Sequence, residues 1–73
     1  MTDSMPAPTL VTAWKTAQTR LKAGRIDSPA IDARLLLEVA AGVGRTDILT
    51  DPHRALTPDQ AAAYAAMIDR RLK

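Results

Sequence analysis

Few residues in this chain are of types that carry out bond chemistry. His53 is its one histidine, and cysteine is absent. A histidine beside a hydroxyl and an acid is the pattern of nucleophilic acyl transfer. His53 stands between Pro52 and Arg54 in a stretch that reads as a loop, and nothing in the sequence aims it at a serine or threonine. One histidine without cysteines also falls short of the three or four protein ligands that zinc takes. Gly42-Val43-Gly44 has the look of a phosphate loop, but no strand precedes it and no Lys-Ser or Lys-Thr follows. It reads instead as the end of a helix. Asp27, Asp32 and Glu38 could be combined as paired carboxylates. Glu38, however, follows Arg34 by four residues, the spacing of a helical ion pair. Asp32, between Ile31 and Leu35 on the apolar side of its helix, requires a partner, either the positive end of the helix dipole or an arginine from a loop, for which Arg45 is the expected candidate. We therefore assign no catalytic, cofactor-binding or metal-ligating residue to the chain.

The elements that would position such residues follow from composition and pattern. Seventy-three residues are too few for a doubly wound nucleotide-binding sheet, which needs several units of about thirty residues each. An apolar fraction of 47% with 25% charged residues lies outside the range of disordered chains. Phenylalanine is absent, so the core must be built from small and medium aliphatics, and the abundance of alanine favours helix. The net charge of +2 comes from ten basic and eight acidic residues that are mixed along the chain, a weak footprint for nucleic acid. No signal peptide or membrane-spanning run is recognisable, so cytoplasmic residence is expected.

The periodicity predicts an all-α bundle of three main helices and one short helical segment. Met1 to Pro8 reads as a flexible lead-in, because Pro6 and Pro8 favour extended backbone. A first helix is capped by Thr9 and carries Leu10, Trp14, Ala17 and Leu21 on one side. It ends at Gly24, expected in the left-handed conformation. Ser28-Pro29 opens a second helix through Ala41, with Ser28 as its side-chain cap. This helix is apolar around most of its circumference, with Arg34 and Glu38 as its polar strip, and belongs in the centre. Thr46 is expected to cap a short segment over Asp47, Ile48 and Leu49. Thr57-Pro58-Asp59-Gln60 is a capping box that starts a last helix running to about Leu72, lined by Ala61, Tyr64, Ala65, Ile68 and Leu72.

Two features point outward. Trp14 is expected as a core anchor, or at an end of the bundle as a partner contact. Arg70, Arg71 and Lys73 match the negative end of the last helix dipole. Leu36, Leu37 and Met67 are the candidates for exposed aliphatics. If they are exposed, the chain reads alternatively as a free-standing interaction adaptor, with a small nucleic-acid binder as a third option.

The residues from Ala13 to Lys73 resemble the N-terminal helical domain of the HemK/PrmC family, protein-(glutamine-N5) methyltransferases that act on peptide chain release factors. The likeness is carried by Ala23-Gly24-Arg25-Ile26-Asp27-Ser28-Pro29, by Asp32-Ala33-Arg34-Leu35-Leu36-Leu37-Glu38 with Gly42-Val43-Gly44-Arg45-Thr46, and by the run from Asp51 to Gln60 with Arg70-Arg71 beyond. The resemblance implies a longer parent in which this domain helps to hold the release factor. A separate Rossmann-like domain would then bind S-adenosylmethionine and carry an Asn-Pro-Pro-Tyr motif, which does not occur in these 73 residues.

Overall fold

The computed structural model of the chain describes residues 8–73. They form α1 (Leu10–Ala23), α2 (Pro29–Ala41), the short α3 (Arg45–Thr50) and α4 (Pro58–Leu72). Among the described residues there is no strand, only an isolated bridge between Thr9 and Ala55. The chain is all-α, as its periodicity predicts. Within the described residues no helix is long and apolar enough to cross a membrane. The lead-in expected over 1–8 falls, apart from Pro8, outside the described residues.

Helix α1 starts where several of its orphan amides are satisfied at once. The Thr9 hydroxyl accepts from the Thr12 amide, and the Thr12 hydroxyl accepts from the Thr9 amide. The amides of Leu10 and Val11 donate to the carbonyls of Arg54 and Pro52, each at 2.9 Å. The Pro8 carbonyl accepts from Leu56 at 2.8 Å. Helix termini leave the first four amides without intrahelical partners. Here the loop between α3 and α4 supplies two of the missing acceptors, which fastens the start of α1 to the start of α4.

The other end of α1 departs from the sequence-based expectation. Gly24 has φ −83°, and the left-handed residue is Arg25 at φ 63°. The amide of Arg25 donates to Lys22 and that of Ile26 to Leu21, both at 3.0 Å, which is a Schellman closure with Ile26 folded back over buried Leu21. Gly24 lies instead against the flexible tip of Leu72 at the end of α4, which a Cβ there would displace. Two helix ends thus meet at the glycine, and the left-handed turn falls on an arginine.

At the start of α2, Ser28 makes no side-chain cap bond. Its carbonyl accepts from Asp32, and Pro29 at the first helical position leaves one fewer amide to satisfy. Gly42, left-handed at φ 65°, ends α2 as expected. Gly44 instead precedes α3, its amide bound by the Asp47 carboxylate at 3.0 Å. Thr46 lies inside α3 rather than capping it, and its carbonyl accepts from Thr50. The capping box at α4 forms as predicted. Thr57 and Gln60 exchange two side-chain bonds, and Gln60 Nε2 also donates to the Ala41 carbonyl at the end of α2.

Helices α2 and α4 run antiparallel, since the first turn of α4 meets the end of α2 at Gln60 and Ala41 while its last turn meets the start of α2 at Arg71 and Asp32. Leu10, Leu21, Leu37 and Ile68 are fully buried at the centre, joined by Ala17, Ala33, Val43, Ile48, Leu56 and Tyr64. The Tyr64 hydroxyl donates to the Ala33 carbonyl at 2.7 Å. Trp14 is only partly buried. It packs against this core and its indole N–H donates to the Ala30 carbonyl at 3.0 Å.

Arg25→Gly should stabilise the chain by about 0.5–1 kcal/mol, because a Cβ in the left-handed region is disfavoured and glycine removes it. Arg25→Ala, which keeps the Cβ, should not. Thermal melts of the two variants check this, and an unchanged or lower Tm for Arg25→Gly would refute it. A second expectation concerns pH. Burial pushes the Tyr64 phenol well above its ordinary value of 10.0. Its folded pKa exceeds its unfolded one, so its contribution to stability is complete below pH 10 and declines as pH rises beyond that. Tyr64 is the only tyrosine. Phenolate absorbance should therefore appear together with loss of helical circular dichroism, and Tyr64→Phe should weaken the alkaline decline. Ionisation of the phenol in a chain that keeps full helicity would contradict this.

Candidate docking surfaces

The residues singled out for chemistry are not brought together. His53 is exposed in the turn after α3, beside an exposed ion pair between Arg54 and Asp51. Among the described residues no three or more His, Asp and Glu side chains are grouped to hold a metal. Glu38 pairs with Arg34 along α2, both side chains a quarter exposed. The separation of 3.5 Å is too long for a good hydrogen bond, and the Arg34 Nε is buried without one. Asp27 is exposed in the turn between α1 and α2.

Asp32 does find an arginine, but it is Arg71 and not Arg45. The Arg71 guanidinium places Nη2 at 3.1 Å and Nε at 3.2 Å from Asp32 Oδ2. The antiparallel course of α4 carries its last turn over the first turn of α2, whereas Arg45 follows the opposite end of α2. Arg71 is thus removed from the basic cluster expected at the chain's end. With Arg71 half and Asp32 a quarter exposed, the pair contributes about 0–1 kcal/mol, and it marks where the end of α4 meets α2.

The exposed aliphatics also differ from those expected. Leu37 is fully buried, and Leu36 and Met67 are partly buried. The exposed large apolar residues are Ile31 at 53%, Leu35 at 48%, Val39 at 69% and, on α3, Leu49 at 66%. Ile31, Leu35 and Val39 are spaced i, i+4, i+8 and so form a continuous ridge along α2. Its flanks are the Arg34–Glu38 pair on one side and the Asp32–Arg71 pair on the other. Their spacing was readable in the sequence. Which side of this nearly all-apolar helix faces inward is decided by α1 and α4.

A second surface is concave. Between α1 and α4 lies a groove of about 200 Å³, lined chiefly by Thr12, Thr16, Ala17, Leu56, Tyr64 and Ala65. Arg20 lies at its edge and pairs with Asp69 across the two helices. Alanine at positions 13, 17, 61 and 65 leaves this seam open where larger side chains would fill it. The groove does not suit S-adenosylmethionine. At about 200 Å³ it is smaller than the roughly 300–1,000 Å³ of typical ligand pockets.

The family model described as the PrmC N-terminal domain matches residues 12–73. The chain is similar to the release factor glutamine methyltransferase of Caulobacter vibrioides, with 55% identity over 65 residues that make up 89% of this chain and 22% of that protein. It is 42% identical over 55 residues to the protein of the same name from Agrobacterium fabrum, covering 75% of this chain and 19% of the relative. The Bradyrhizobium diazoefficiens protein of that name is 28% identical over 72 residues, 99% of this chain and 24% of the relative. The chain thus spans less than a quarter of the length of these relatives. No solved structure matches it. With a family model covering nearly every described residue, and relatives sharing up to 55% identity, the chain belongs to the PrmC N-terminal domain family.

Proposed function

We propose that this chain is the substrate-recruiting domain of a cytoplasmic release factor glutamine methyltransferase. Methyl transfer from S-adenosylmethionine would then take place in a further part of a longer polypeptide. The observation that carries the reading is the α1–α4 groove. It is an apolar cleft with the Thr12 and Thr16 hydroxyls on one wall and the Arg20–Asp69 pair beside it, floored by the core residues Ala17, Leu56, Tyr64 and Ile68. The relatives' name supplies the partner: a release factor is a folded protein, and a cleft of this size accepts one or two of its side chains. Binding energy gained here, away from the reacting amide, would align the glutamine nitrogen with the methyl group without taking part in the bond change.

Thr16 and Ala65 are exposed residues on opposite walls of the groove, so arginine at either obstructs the cleft without disturbing the core. In the full-length protein, Thr16→Arg or Ala65→Arg should raise the KM for release factor about tenfold, the loss expected for about 1.4 kcal/mol of docking energy. Affinity for S-adenosylmethionine, measured by calorimetry, should stay unchanged. Unaltered release-factor KM in both variants would refute the groove as the recruiting surface. Saturable cofactor binding by residues 1–73 alone would refute the division of labour.

A further inference from the structure

We propose that the ridge of Ile31, Leu35 and Val39 on α2 is covered by the polypeptide that directly follows Lys73 in the full-length protein, so that the domain is seated on its own downstream chain. The inference rests on reading these residues as the leading part of a longer protein.

The first argument is position. Arg71 is held on Asp32, the neighbour of Ile31, and Leu72 lies against Gly24 at the end of α1. Together they place the end of α4 at the corner of the bundle where α2 begins. A chain continuing from Lys73 therefore emerges beside the Ile31 end of the ridge. From Ile31 to Val39 the ridge extends about 12 Å at 1.5 Å per residue. An extended segment spans that distance in about four residues and a helical one in about eight, so a short stretch directly after Lys73 is long enough to cover it.

The second argument is area. Three side chains about half exposed present on the order of 200–300 Å², against the roughly 800 Å² per partner of a stable association. This is too little for a second copy to hold on its own. It is enough for a segment already tethered a few residues away, for which covalent attachment supplies an effective concentration in the millimolar range. The Arg34–Glu38 and Asp32–Arg71 pairs give the ridge a polar rim, as expected of a covered apolar strip.

The test uses the full-length protein with a benzophenone amino acid replacing Leu35, an exposed site where the change does not disturb the core. Irradiation followed by mass spectrometry should give an intramolecular cross-link to the residues shortly after Lys73, with a yield independent of protein concentration. The same probe replacing Asp59, at the far end of α4, should not reach that segment. In parallel, Leu35→Glu should speed tryptic cleavage after Lys73 several-fold relative to the parent protein. Cross-links to a second copy, cross-links only to added release factor, or no cross-link at all would each overturn the proposal, as would an unchanged cleavage rate. A native reading frame that ended at Lys73 would remove the leading-domain reading itself, an outcome distinct from a longer chain that leaves the ridge bare.

Discussion

The antiparallel seating of α4 on α2 is the constraint on which the other features depend, and it is fixed by polar contacts along its whole length. Gln60 reaches the Ala41 carbonyl at the end of α2, Arg71 reaches Asp32 in its first turn, and between them the Tyr64 hydroxyl meets the Ala33 carbonyl. Burial of Leu37, Ala33, Tyr64 and Ile68 supplies the driving force, but apolar burial has no direction of its own. The polar contacts choose the register. Once that register is set, Ile31, Leu35 and Val39 have no side of α2 left but the solvent side. Leu72 then comes to rest against Gly24.

The same register leaves the seam between α1 and α4 thinly filled. The helices are tied at their starts, where the loop after α3 meets Thr9, and near their ends by Arg20 and Asp69. Between the ties, alanines face one another and a cleft remains. A small domain without disulfides has little apolar area to spare, and leaving a seam open lowers its stability. A recruiting surface on this domain would explain why the seam is not closed with larger side chains.

What the sequence revealed was set by local chemistry. The boundaries of α2 and α4 and the caps at Thr9 and Thr57 follow from residues within one helical turn of one another, and they appear in the structure where they were expected. Two equally local expectations, side-chain caps at Ser28 and Thr46, are not met, whereas the remaining misassignments have a different origin. Arg71 is 39 residues from Asp32, and no local rule selects it over Arg45. Gly24 has the composition of a left-handed stop, but the left-handed residue is Arg25, one position on, while Gly24 lies against Leu72 from the far end of α4. Leu35 and Leu37 are chemically identical, and only the arrival of two other helices distinguishes them. The groove is a property of two helices together, so no single segment announces it.

The two aromatic side chains divide between the two interfaces that α2 makes. Trp14 reaches from α1 to a carbonyl of α2, and Tyr64 reaches from α4 to another, while phenylalanine is absent. Indole fluorescence therefore follows the closure of α1 on α2, and the phenol follows that of α4. The domain carries a separate built-in reporter for each half of its assembly, so the cooperativity of its collapse can be observed without attaching a dye.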